Sequence, residues 1–133
     1  MPINQQARGS FAVQLAAQAP SGEVEAAGPA RMTIAKQFSG DLQGASKGQM
    51  LAWRTSVSGS AAYVAIENVT ANLHGRSGSF ALLHKGQMRS GAGELEVSVV
   101  PDSATGELTG LTGTMRIDIV DGEHRYQFDY QLP

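Results

Sequence analysis

The chain has 133 residues and 14.0 kDa, a length for one compact domain, expected over 1–133. With 41% hydrophobic and 17% charged residues, no Cys and a net charge of -2, the composition excludes a disordered chain, a disulfide scaffold, a thiolate metal site and the basic footprint of a nucleic-acid binder. No apolar run approaches the roughly 20 residues of a membrane span and the first residues lack a signal-peptide layout, so the expectation is a cytoplasmic protein with no nucleic-acid or membrane partner.

Period-two alternation, the mark of half-buried strands, recurs along the chain, whereas helical periodicity is hard to find. A first strand over 8–19 alternates Phe11, Val13 and Leu15 with polar or small residues, and Ser21-Gly22 and Gly28-Pro29 break the chain before a second over 30–40. There Met32, Ile34 and Phe38 share a face with Lys36. In a third strand over 46–55, Trp53 is in phase with Leu51 and Lys47 but opposite in parity to Met50, which predicts a bulge and a core Trp. A fourth over 60–69 aligns Tyr63, Ala65, Glu67 and Val69, and a fifth over 77–88 aligns Phe80, Leu82, His84 and Met88. After the Ser90-Gly91-Ala92-Gly93 break comes a strand over 94–101 carrying Leu95, Val97 and Val99.

The last two strands, over 112–120 and 123–132, flank Asp121-Gly122, the strongest short hairpin signal. A two-residue loop pairs Val120 with Glu123, Asp118 with Arg125, Ile117 with Tyr126 and Met115 with Phe128. That register puts the apolar residues on one face and the Asp118 and Arg125 pair on the other, and a slip of one residue would destroy the sorting.

One pattern, small-x-Leu-x-Gly-x-Ser/Thr, occurs three times: Gly40 to Ser46, Ala71 to Ser77 and Gly106 to Thr112. The copies connect strands 2 and 3, 4 and 5, and 6 and 7, so in an up-and-down arrangement Leu42, Leu73 and Leu108 meet at one end in equivalent corners. The fold expected is therefore all-β: an eight-stranded antiparallel up-and-down barrel with little helix.

The stretches Arg31 to Leu42, Ala62 to Glu67, Leu73 to Phe80 with His84, Val99 to Ser103 and Phe128-Asp129-Tyr130 resemble an uncharacterised family of small bacterial proteins, a domain of unknown function. The resemblance runs from about Gly9 to Pro133. It implies an allene-oxide-cyclase-like, calycin-like barrel related in architecture to dirigent proteins and lipocalins. It implies no activity, and the site positions of the plant cyclases do not align with this chain.

Ionisable residues in phase with apolar faces carry the chemical interest, because burying a charge is costly unless it is paired or used. Lys36, Glu67, His84 and His124 are such residues. Glu67 and His84 project to one side from neighbouring strands and form the catalytic candidate pair, a carboxylate orienting an imidazole. The expected ligand contacts are Lys36, Tyr63, Glu67, Phe80, His84 and Tyr126. His124 is expected at the rim, His74 and Arg76 in a solvated corner. The three His and Glu67 match no metal-site spacing, and no cofactor is implied. Three functions compete: a module binding a small apolar ligand, a cofactor-free isomerase or cyclase using Glu67 and His84, and an oligomeric scaffold with a filled barrel. A small-molecule ligand and a second copy of the chain are the partners these readings call for.

Overall fold

A computed structural model describes residues 3–133, so the first two residues of the expected domain lie outside the described residues. Eight strands close into one antiparallel barrel in chain order, β1 pairing with β8. They are β1 (Ile3–Ala17), β2 (Ala30–Gly40), β3 (Leu42–Arg54), β4 (Ala61–Leu73), β5 (Arg76–Arg89), β6 (Ala92–Val99), β7 (Thr112–Val120) and β8 (Glu123–Leu132). A five-residue helix, α1 (Glu23–Ala27), interrupts the β1–β2 connection, and one 3-10 turn (Gly106–Leu108) lies between β6 and β7. No helix among the described residues is long and apolar enough to cross a membrane.

The β7–β8 hairpin has the register that its Asp121-Gly122 turn predicts, with Val120 opposite Glu123 and Asp118 opposite Arg125. The guanidinium of Arg125 nevertheless bonds Glu123, at 3.3 Å, rather than Asp118. The Gly-bearing corners are shorter than expected. Alternation continues through them, so Leu42 opens β3 and Leu73 closes β4, facing each other in register. Leu108 sits in the 3-10 turn, and all three leucines are fully buried in one core cluster. They share one barrel end, as the repeat predicts, but not one backbone corner.

Pairing of β3 with both neighbours is one to one from Gly44 to Ala52, so the expected bulge is absent. Met50 and Ala52 consequently face the lumen, whereas Leu51 and Trp53 face outward; Trp53 is 53% exposed, not core.

The leucine end is packed solid. Phe80 stacks on Phe128 at 5.9 Å, Phe11 lies 5.5 Å from Phe38, and Tyr126 ties the corner by accepting the Leu42 N–H and donating to the Ser39 carbonyl, both at 2.8 Å. Residues of β6 and β7 pair at Ser98 and Thr114 alone. Because β6 has 8 residues against 14 in β5, the exposed edge of β5 is served by the following loop instead. Val100 and Thr105 donate their N–H groups to Ala81 and Ser79 carbonyls, while Ser103 Oγ, Thr105 Oγ1 and Glu107 Oε1 accept from the N–H groups of Ala81, Ser79 and Ser77. This loop runs so close that a Cβ on Gly78 would stand 2.1 Å from the Thr105 carbonyl oxygen.

Candidate functional site

A polar belt crosses the inner face of four consecutive strands at mid-depth. Lys36 on β2 is in register with Ser46 on β3, and Glu67 on β4 lies one step from both Ser46 and His84 of β5. Each occupies an inward phase among apolar neighbours, and all four are buried, Glu67 completely. Lys36 Nζ and His84 Nε2 both donate to Glu67 Oε2, at 2.8 and 2.7 Å. The proton on His84 is thereby fixed on Nε2, since an ionised carboxylate only accepts. Lys36 Nζ also lies 4.6 Å from the centre of the Phe11 ring, a cation over an aromatic face.

Burial disfavours the charge on Glu67, but the hydrogen bond from His84 and the charge and hydrogen bond of Lys36 outweigh it, so the carboxyl is held below its ordinary range. The carboxylate is thus ionised and neutralised by Lys36. Among the described residues, two buried side-chain atoms lack a partner: Ser46 Oγ and Glu67 Oε1, both in this belt.

Above the belt, away from the leucine end, the lumen opens. A hollow of about 350 Å³ is bordered by Met50, Ala52, Tyr63, Gly86, Met88 and Leu95, with Trp53 and Arg54 at its lip. Tyr63 stands four residues from Glu67 on the same face of β4, and Gly86 two from His84 on β5, so the belt lies roughly 7 to 14 Å deeper along the strands at about 3.3 Å per residue. Gly86 is required for this arrangement: a Cβ there would meet Tyr63 Cε1 at 2.4 Å. Burial, and then the charge of Glu67, raise the pKa of the Tyr63 phenol, which stays a neutral donor.

Of the expected ligand-contact residues, the structure brings Lys36, Glu67 and His84 together beneath a mouth bordered by Tyr63. Phe80 and Tyr126 lie instead in the packed leucine end. His124 is half-buried, its ring 5.2 Å from Phe11.

His74 is not the freely solvated corner residue that its place in the repeat suggests. The His74–Gly75 turn holds both residues at positive φ, 47° and 87°, and folds the imidazole over β8. His74 Nδ1 bonds the hydroxyl of Tyr130, which donates in turn to Gln5 Oε1 at 3.0 Å, and Nε2 stands 3.6 Å from Asp41 Oδ2. Four residues far apart in sequence build this cluster, so nothing local signalled it. Ser46 was missed for a different reason: as a small polar residue beside Gly44 and Gly48 it reads as turn chemistry.

Residues 7–130 match the model of a family described as "Protein of unknown function (DUF3224)". The chain is similar to a crystal structure of a protein of unknown function from the DUF3224 family of Shewanella oneidensis MR-1, with 44% identity, 96% of each chain covered and a TM-score of 0.89. No curated protein matches the chain.

Proposed function

The chain belongs to the DUF3224 family of proteins of unknown function, and from that premise we propose that it binds a small, largely apolar molecule in the mouth of its barrel. The observation that carries this reading is the hollow of about 350 Å³ bordered by Met50, Ala52, Tyr63, Met88 and Leu95. Its size falls within the range of about 300–1,000 Å³ typical of ligand pockets, which combine an apolar wall with a few polar groups. Here Tyr63 is a polar group of the wall, with Lys36, Glu67 and His84 buried beneath the hollow. Packing at the leucine end supplies the rigidity and leaves the mouth to the ligand.

The Lys36–Glu67–His84 belt closes the lumen beneath the hollow without bordering it, and supports the site rather than acting as a general base. The two donors on Oε2 that hold the Glu67 pKa below its ordinary range also weaken its pull on a proton.

The test is titration with N-phenyl-1-naphthylamine, an apolar fluorophore. Wild type should enhance its emission saturably, and Ala52→Trp, which fills the mouth, should lower the affinity at least tenfold with an unchanged circular dichroism spectrum. No saturable binding by wild type, or undiminished binding by a folded Ala52→Trp, would defeat the reading.

A further inference from the structure

The outer wall of the barrel is not uniform. On β8 the outward positions carry Glu123, Arg125, Gln127, Asp129 and Gln131 in an unbroken polar series, and β2 presents Arg31, Thr33, Ala35, Gln37 and Ser39. On β3, β4 and β5 the same positions hold Leu51, Trp53, Val64, Ile66 and Leu83, which are 44%, 53%, 47%, 56% and 41% exposed. Register makes the group continuous, because Leu51 lies beside Val64 and Ile66 beside Leu83. A contiguous exposed apolar patch on an otherwise polar surface marks an interaction site.

We propose that this face joins two copies of the chain about a two-fold axis lying in the interface along β4. The argument for a second copy is the charge on the two borders of the patch. One row of residues crosses five strands as Arg31, Leu51, Val64, Lys85 and Glu96. Val64 is at its centre, with Arg31 two strands away on one side and Glu96 two strands away on the other. A two-fold axis along β4 lays the β2–β3 border of one copy over the β5–β6 border of the other, so basic meets acidic twice while Val64 and Ile66 meet their own equivalents. Among the described residues, neither Arg31 nor Glu96 is engaged in an ion pair, so these charges are free to serve a partner.

The area also suffices. A standard interface covers about 800 Å² on each partner, close to a tenth of the 8412 Å² that this chain exposes, and the outer wall of three strands out of eight can supply it. Lys85 stands in register with Glu96 at the rim of the apolar centre, where its long aliphatic stem can cover apolar surface.

Sedimentation-velocity runs from about 1 to 200 μM test the proposal. Wild type should pass from monomer to dimer within that range, and Ile66→Lys, an outward substitution with circular dichroism as the check on folding, should stay monomeric throughout. Arg31→Glu and Glu96→Arg should each weaken the dimer about tenfold, and the double variant should restore it, because the swapped borders are again complementary. Wild type monomeric at 200 μM, a dimer indifferent to Ile66→Lys, or a double variant no tighter than the singles would overturn the proposal. So would a wild-type monomer that co-sediments with phosphatidylcholine vesicles through the same patch, since the occupant would then be lipid.

Discussion

Lys36 is the residue on which the buried belt depends electrically. It is buried beside a fully buried Glu67, and among the described residues no other Lys or Arg reaches that carboxylate. Lys36→Met should therefore cost about 3–5 kcal/mol, the toll for leaving a buried charge without its partner. Replacing the whole belt with Lys36→Met, Glu67→Leu and His84→Leu should recover most of that loss, because apolar residues of similar volume commonly match or exceed a buried ion pair in stability. Urea denaturation of the two variants measures both outcomes. Acid provides a second reading of the same residue pair. The folded-state pKa of Glu67 lies below its ordinary 4.5, so between those two values the unfolded chain binds more protons than the folded one. Stability from this group is full above pH 4.5 and is lost as pH falls through the lowered value. Unfolding free energies from about pH 6 down to about pH 3 should thus fall more steeply for wild type than for Glu67→Gln.

At the scale of the element, the loop after β6 carries a task normally done by a strand. Its side-chain oxygens accept from the N–H groups of Ser77, Ser79 and Ala81, and Thr105 serves both the N–H and the hydroxyl of Ser79, at 3.2 and 2.6 Å. Thr105→Val keeps the shape and removes the oxygen, and should cost about 0.5–1.5 kcal/mol in urea denaturation through the lost hydrogen bond. Legibility differed sharply among the elements. The β7–β8 register was readable to the residue because a two-residue turn leaves no freedom in the pairing. Strand ends at Leu42 and Leu73 were not, since glycines that read as loop signals sit inside strands where a neighbouring backbone passes close, as at Gly78. Trp53 misled for a related reason: residue type argued for core while parity argued for the outside, and parity was correct. Glu67 and His84 were legible because each breaks an apolar alternation. The sharing of one Glu67 oxygen by His84 and Lys36 depended on lateral geometry that alternation does not encode.

For the molecule as a whole, two ends of one lumen do different work. Aromatic stacking and three buried leucines fill one end, the belt divides the barrel, and the other end keeps an apolar mouth. The ring itself is uneven around its circumference. β3 and β4 are joined along 13 residue pairs, whereas β6 and β7 meet at one. Mechanically this is a split ring closed by a clasp, and such a ring yields first at the clasp whatever the load. Amide hydrogen exchange followed by mass spectrometry should show the segment around residues 77–81 and 98–114 opening ahead of the rest. The last protons to exchange should lie across the ring, where β2, β3 and β4 form its unbroken back. Breathing of this kind would widen and narrow the lumen by flexing about a hinge line on that back.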